Sequence, residues 1–246
     1  MAMNGSIIPM DRFNRDSHIV FFTGAGISAE SGISTFRDPD GHWSKYDPMK
    51  LASPKGFRDD PELVLSWYAS RRKTIIEAEP HAGHYTITQF QKLFPNSLVI
   101  TQNVDGLHAR AGNDPVWELH GNIHREKCNT CGQEGNSQAV EDGIHHCRCG
   151  GMLRPDVVWF GESLPFGLIE KSLATAGECD ILFSIGTSTQ IYPAAHLPFQ
   201  ALEHGAYTIE INIDKTPFSA HADLIVEDTA GNALPKLFEE FYAALS

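Results

Sequence analysis

HIVFFTGAGISAESGISTFR, residues His18–Arg37, runs from an apolar segment into a glycine-rich turn. His18 to Phe22 is short and apolar, with β-branched and aromatic residues, and glycines follow at once, which is the pattern of a buried strand. Gly24-Ala25-Gly26 comes next, and Ala29 stands three residues after the second glycine. That spacing fits the G-x-G-x-x-G/A dinucleotide fingerprint. In such a turn the first glycine permits the tight bend and the second lets backbone N–H groups approach a pyrophosphate. The small third residue lets helix and strand pack closely, and a helix N-terminus favours the phosphate charge. A strand–turn–helix packed with small residues and binding nothing would give the same short match. An ordinary Rossmann unit continues through a full helix to a second strand ending in an acidic residue. Here Gly32, Pro39 and Gly41 break that pattern early, so Gly32–Arg37 is expected to form a loop lying over the site.

Beyond this stretch, Asp59-Asp60-Pro61 offers an N-cap with proline in the first turn, and a helix is expected from about Pro61 to Glu79. A second helix, His81 to Phe94, carries apolar residues at helical spacing. Strands are expected at Ser97–Ile100, Val116–Leu119, Asp156–Phe160, Asp180–Ile185, Ala206–Ile211 and Asp223–Val226. Helices are expected at Leu164–Ala176 and Pro235–Leu245. Between about Ile123 and Leu153 lies a polar, Cys- and His-rich insert without core periodicity. Strands separated by helices imply an α/β fold with a parallel sheet and helices on both faces. Ligands of such sheets bind outside the carboxyl ends of the strands. Four of these ends carry Gly24-Ala25-Gly26, Gln102-Asn103, Gly186-Thr187-Ser188 and Asn212. Backbone donors for phosphates and neutral side chains for ribose hydroxyls are what a dinucleotide needs. Turn-forming residues after strands explain one or two of these ends, but all four poorly.

The 246 residues, 41% of them hydrophobic, suffice for one sizeable core and a small satellite module. A formal charge of -12 argues against nucleic acid as the main partner, because phosphate binding depends on Lys and Arg. No apolar run is long enough to span a bilayer, so no membrane partner is expected. Residues 1–17 have no signal-peptide core and are expected to be a flexible N-terminus of a cytoplasmic protein. Four of the five cysteines cluster: Cys128-x2-Cys131, then Cys147-x-Cys149 fifteen residues later. Paired cysteines at this separation can close four thiolates around a structural zinc, whose binding folds a small polar insert. The second pair is one residue short of the usual spacing, so His145 or His146 could substitute, and a redox or disulfide pair is the other reading. Four protein ligands leave no position for substrate, so such a metal would hold structure and perform no chemistry. Cys179, before a buried strand, reads as a core residue.

Taken together, these pieces resemble the sirtuins, the NAD-dependent protein-lysine deacylases. The matching motifs are GAGISAESGISTFR at Gly24–Arg37, TQNVDGLH at Thr101–His108, HG at His120-Gly121, the four cysteines, VVWFGE at Val157–Glu162, and GTS at Gly186–Ser188. They stand in the family's order from His18 to about Leu237. Ser34 and Val104 depart from the family's usual proline and isoleucine without removing a chemical group. The resemblance implies a Rossmann-like catalytic domain over 18–246, with small-domain insertions at about 32–80 and a zinc module at about 123–153. NAD, consumed as co-substrate, and an extended acyl-lysine peptide would meet between the two parts. Carried over residue by residue, it assigns Ala25 and Gly26 to the pyrophosphate, and Thr35, Phe36 and Arg37 to a loop over the nicotinamide ribose. Gln102 and Asn103 would hold the ribose and Asp105 the carboxamide. Gly186, Thr187, Ser188, Asn212, Asp214 and Ala230 would bind the adenosine half. Substrate backbone would add as a strand between Val158–Phe160–Gly161 and the segment after Gly186.

The resemblance makes His120 the general base, because imidazole titrates near neutrality and can take and return a ribose hydroxyl proton. Without it, a lone histidine after a strand would read as a satisfied structural residue. The implied products are nicotinamide, free lysine and an O-acyl-ADP-ribose. Tyr68 and Arg71 are three apart on the helix beginning near Pro61 and share a face. By themselves they read as a half-buried tyrosine beside a solvated basic run. With Ala52 they complete a pattern similar to the sirtuin branch that prefers acidic acyl groups, implying activity on succinyl- or malonyl-lysine as well as acetyl-lysine. Guanidinium and phenol would hold the terminal carboxylate, and a small Ala52 would leave room for it. Two other readings stand beside this one. One is a mono-ADP-ribosyltransferase using the same NAD site; the other is an idle NAD-binding or zinc-ribbon interaction module.

Overall fold

The computed structural model describes residues 8–35, 47–135 and 143–245. A 3-10 turn at Met10–Arg12 leads into β1 (Ile19–Thr23) and the short α1 (Ala25–Ala29). Four helices follow, α2 (Pro48–Leu51), α3 (Pro54–Asp59), α4 (Pro61–Glu77) and α5 (Ala82–Leu93). Next come β2 (Ser97–Thr101), α6 (Leu107–Arg110), β3 (Val116–Glu118) and the pair β4 (Gly121–Cys128) and β5 (Leu153–Val157). The chain closes through α7 (Phe166–Glu178), β6 (Ile181–Ile185), α8 (Leu197–Glu203), β7 (Tyr207–Ile211), β8 (Leu224–Val226) and α9 (Ala230–Leu245).

Six parallel strands form one sheet in the order β3-β2-β1-β6-β7-β8. With the β4-β5 hairpin set aside, this is the doubly wound order 3-2-1-4-5-6 of a Rossmann-like fold. Every residue of β1, β2, β6 and β7 is buried, as both faces are covered. Alternate residues divide between two cores. Ile19, Phe21, Val99, Phe183 and Ile209 pack against Ile87 and Phe90 of α5 and Leu234, Leu237 and Phe241 of α9. Val20, Phe22, Leu98, Ile100 and Leu182 pack against Ile169 and Ala176 of α7 and Leu197 and Ala201 of α8. The order reverses between β1 and β6, and there the Gly24–Gly26 turn and Gly186 meet.

A third apolar cluster joins the two insertions. Leu51, Ala52, Phe57, Val64, Trp67, Tyr68 and Ile75 from the α2–α4 segment pack with Ile123, Val157 and Trp159 from around the hairpin. The helices of this segment start by one device: Asp47, Ser53 and Asp60 cap α2, α3 and α4 through their side chains, each with proline directly after. Arg72 on α4 donates from Nε to Ile123 O at 3.0 Å, tying α4 to β4.

Several expectations need correction. The N-terminus is not loose from residue 8 onward: Ile8 and Phe13 are buried in the first core, and Phe13 packs on Tyr207. Residues 1–7 lie outside the described residues. The strand expected at Asp156–Phe160 is displaced to Leu153–Val157, because its pairing with β4 sets the register at Gly121↔Val157 and Cys128↔Leu153. The insert therefore has a framed hairpin with Ile123 in the core. α9 begins at Ala230, so Pro235 lies inside the helix it was expected to open. α1 has only five residues, which leaves little helix dipole for a phosphate.

Candidate active site

The switch point closes by glycine contact. Gly24 N–H donates to Ile185 O at 2.9 Å and Gly26 N–H to Gly186 O at 2.8 Å. A Cβ on Gly26 would stand 2.7 Å from Gly186 Cα, so the two strand-end turns can touch only as glycines. Gly26 thus serves the close approach, and its N–H is engaged there. Ala25, at the head of α1, keeps its N–H directed at no protein acceptor among the described residues.

Two polar chains line this row. In the first, Asn103 Nδ2 donates to Gly24 O and to Ser28 Oγ, both at 3.0 Å. Ser28 Oγ donates to Asp105 Oδ2 at 2.7 Å, and Leu107 N–H donates to Asp105 Oδ1 at 2.9 Å. The Gly24 carbonyl can only accept, so the Asn103 amide is oriented with Oδ1 as its remaining acceptor. All three side chains are buried. In the second chain, Asn212 Nδ2 donates to Thr187 O at 2.9 Å, and Gln102 Nε2 donates to Thr187 Oγ1 at 2.7 Å. His120 Nδ1–H donates to Gln102 O at 2.8 Å. A carbonyl accepts only, so in neutral His120 the basic nitrogen is Nε2. Burial lowers the His120 pKa, with the hydrogen bond to Gln102 opposing it. Gly121 explains the dipeptide: its φ is +81° and a Cβ would lie 2.0 Å from Asp156 O, so only glycine turns β4 sharply enough behind His120.

A third network lies behind Asn103. Asn113 Nδ2 donates to His84 O and Thr88 Oγ1, so its Oδ1 accepts from His108 Nδ1 at 2.6 Å. His108 Nε2 is then an acceptor, 2.9 Å from Thr23 Oγ1, and burial keeps this ring's pKa low. Thr23 Oγ1 lies 2.8 Å from Thr101 Oγ1, which accepts Asn103 N–H at 3.1 Å. Neither this network nor Ser28 is visible in the sequence, where Thr23, Thr101 and Ser28 read as strand and turn residues. Only the pairing of β1 with β2 and the fold of α6 bring them together.

Ala52, Tyr68 and Arg71 flank the third cluster. Ala52 and Tyr68 are buried, and Ala52 O accepts Phe160 N–H at 2.8 Å. Tyr68 Oη accepts the Trp159 indole N–H at 2.9 Å, and burial pushes the phenol pKa up to about 12. Arg71 lies 5.5 Å over the Trp67 ring; burial lowers its pKa, against the attraction of Tyr68 and Asp105. Val158 N–H donates to His120 O at 2.9 Å, and Trp159 N–H to Glu162 Oε2 at 2.9 Å. The N–H groups of Val158, Trp159 and Phe160 are therefore all engaged within the protein. The Trp159 carbonyl is engaged as well, accepting Glu162 N–H at 3.0 Å, while Gly161 is exposed.

Asp214 lies in an exposed segment after Asn212, and Ser188 precedes Thr189, whose φ is +49°. Ala230 opens α9 beside Gly83, while Gly231 N–H donates to Glu30 Oε1 at 2.9 Å. Thr35 is half-buried, and Phe36 and Arg37 lie outside the described residues. The cysteines converge as expected: their four sulfurs lie within 4.8 Å of one another, with Cys128–Cys149 at 3.5 Å and Cys131–Cys147 at 3.7 Å. A tetrahedral zinc with Zn–S near 2.3 Å separates sulfurs by about 3.8 Å. The set fits zinc and is far from disulfide length, and all four thiols are free.

A doubly wound sheet with glycine turns at its switch point and a four-cysteine hairpin beside it defines a class of Rossmann-like, zinc-binding folds. Residues 24–193 match the Sir2 family, and the chain belongs to that family. Among its relatives is an NAD-dependent protein deacylase of Aquifex aeolicus, 46% identical over 225 residues, covering 90% of this chain and 94% of that protein. NAD-dependent protein deacylase 2 of Pyrobaculum aerophilum is 48% identical, covering 91% and 90%. A crystal structure of a Sir2 homolog–NAD complex superposes with a TM-score of 0.88 at 39% identity, covering 94% of this chain and 92% of that one.

Proposed function

We propose that this protein is an NAD-dependent protein-lysine deacylase that releases nicotinamide and O-acyl-ADP-ribose and accepts acetyl-lysine together with succinyl- or malonyl-lysine. The observation that carries the reading is the convergence of His120, Gln102, Thr187 and Asn212 with Asn103, Ser28 and Asp105 at one switch point. When bound, NAD supplies a ribose carbon that can accept the acyl oxygen as nicotinamide leaves. Ala25 N–H faces the phosphates, while Thr187, Ser188 and Asn212 hold the adenosine ribose. Asn103 Oδ1 accepts from a ribose hydroxyl, and its Nδ2, fixed on Gly24 O, keeps it there. Asp105, anchored by Ser28 and Leu107 N–H, receives the nicotinamide carboxamide. His120 Nε2 takes the proton of a ribose hydroxyl and later returns it. Cys128, Cys131, Cys147 and Cys149 would hold a structural zinc, which would fix the hairpin that carries His120 at its root.

Residues 18–246 act as one catalytic unit whose smaller part comes from the two insertions. Acyl-lysine enters against Val158–Gly161, with its acyl group toward Ala52, Tyr68 and Arg71. The half-buried Arg71 guanidinium and the protonated Tyr68 phenol support a carboxylate-ended chain, since a charge-assisted pair is strongest where water is scarce. The test is nicotinamide release from NAD with no peptide and with acetyl-, malonyl- and succinyl-lysine peptides. Release should depend on the peptide. Arg71→Met should lower kcat/KM for succinyl-lysine by at least ten times more than for acetyl-lysine. Equal losses on both substrates would mean that Arg71 supports the fold alone.

A further inference from the structure

Tyr68 has one oxygen and one hydrogen to offer, and the structure accounts for only the oxygen. The indole N–H of Trp159 is a donor and nothing else, so at 2.9 Å it must give its hydrogen to Tyr68 Oη. The Tyr68 hydrogen then points elsewhere, and among the described residues it meets no protein acceptor. Tyr68 is 3% exposed, so this unmet donor is buried, one turn of α4 from Arg71. A phenol hydrogen prefers the plane of its ring, where it has two orientations. The Trp159 hydrogen repels it from one, leaving the other. A hydrogen bond accepted at Oη also polarises the O–H and strengthens it as a donor.

Trp159 is itself held on every side. Its ring lies 5.2 Å from Phe57 between centroids, and the Arg154 guanidinium stacks 3.7 Å over it. Arg154 Nη2 donates to Glu162 Oε1 at 2.6 Å, and Glu162 Oε2 accepts the Trp159 backbone N–H. The carboxylate thus grips backbone and stacking cation together, and the indole, 2% exposed, has no freedom to turn its N–H away from Tyr68.

We propose that Trp159 is a specificity-determining positioning residue: through its indole N–H it sets the Tyr68 hydroxyl as a donor for the terminal carboxylate of an acidic acyl group. The inference rests on the acidic-acyl reading of Ala52, Tyr68 and Arg71. Selectivity would then extend to a residue of the proposed substrate-binding segment whose side chain packs in the third apolar cluster. An acetyl group has no terminal acceptor, so it gains nothing from the oriented hydroxyl.

A double-mutant cycle on the succinyl-to-acetyl ratio of kcat/KM is the test, using wild type, Trp159→Phe, Tyr68→Phe and the double variant. Trp159→Phe should lower that ratio roughly three- to tenfold, the loss expected for one hydrogen bond and its partner's alignment. In the Tyr68→Phe background the same change should leave the ratio where it is, because its only route to the carboxylate is gone. Should phenylalanine leave a gap that unfolds the cluster, Trp159 replaced by benzothienylalanine keeps the indole shape and removes only the N–H. A ratio unchanged by both replacements overturns the role of Trp159, as does a fall of equal size with and without Tyr68. A wild-type enzyme inactive on succinyl- and malonyl-lysine overturns the acidic-acyl reading itself, which the single wild-type measurement distinguishes.

Discussion

His120 keeps its Nδ1 hydrogen on the Gln102 carbonyl, so any proton it exchanges with a substrate passes through Nε2. Burial lowers its pKa, and a base works only when neutral. The acid limb of kcat/KM should therefore fall below the ordinary histidine value of about 6.5, with a plateau at neutral pH. His120→Ala should remove that limb and cut deacylation by roughly 10²–10⁴-fold while NAD binding, measured by calorimetry, stays close to wild type. Full turnover by the alanine variant would remove His120 from the chemistry. At this scale the sequence was generous with residue types and silent on partners. His120, Asn103 and Asp105 could be singled out only through the family motifs they stand in. Ser28, which joins Asn103 to Asp105, could not, because a small hydroxyl on a short helix has no signature of its own.

The β4–β5 hairpin shows what a sequence pattern can and cannot convey about an element. The cysteine spacing indicated a metal module, and the four sulfurs do converge. The strands framing it were missed or shifted because β4 mixes Ile123 with charged residues held by ion pairs. Arg125 pairs with Glu118 and Asp156, and Lys127 with Asp156, so polarity there is satisfied across strands and leaves no alternating apolar signal. The helices before α4 were missed for a different reason. α2 and α3 are four and six residues long, too short for periodicity, though each begins with a capping residue and proline. Buried strands were the most legible, since a run covered on both faces must be apolar throughout. Because β4 starts directly after His120, loss of a metal held by the hairpin is expected to reach the proposed base. Purified protein should carry about one zinc per chain, and chelation should abolish turnover while exposing the amides of residues 121–157 to hydrogen exchange first. An active preparation free of zinc would contradict this.

Across the whole molecule, acid sensitivity is expected from two buried histidines, His84 and His108, that favour the neutral form. His84, fully buried, has its pKa pressed down to about 2 by burial and by its neighbours His108 and His81, and His108 is lowered as well. The His84 ring meets His81 and His108 edge-on, at 4.5 and 5.0 Å between centroids. Unfolded, these histidines titrate near 6.5, so below that pH the unfolded chain binds more protons than the native one, and stability must fall as pH falls. The thermal midpoint should be flat above about pH 7 and drop between pH 6.5 and 5, with His84→Gln reducing that slope. An unaltered slope in the variant would place the acid sensitivity elsewhere. Among the described residues no helix is long and apolar enough to cross a membrane.

In the proposed reaction, one switch-point site couples NAD breakdown to removal of an acyl group from lysine. Mass spectrometry of a single reaction containing NAD and an acyl-lysine peptide measures this directly, by counting nicotinamide, free-lysine peptide and O-acyl-ADP-ribose together. Equal amounts of all three are expected, and no nicotinamide above background when the peptide is left out. Nicotinamide released without peptide, with ADP-ribose found attached to protein and the acyl-lysine untouched, would contradict it and identify a mono-ADP-ribosyltransferase instead.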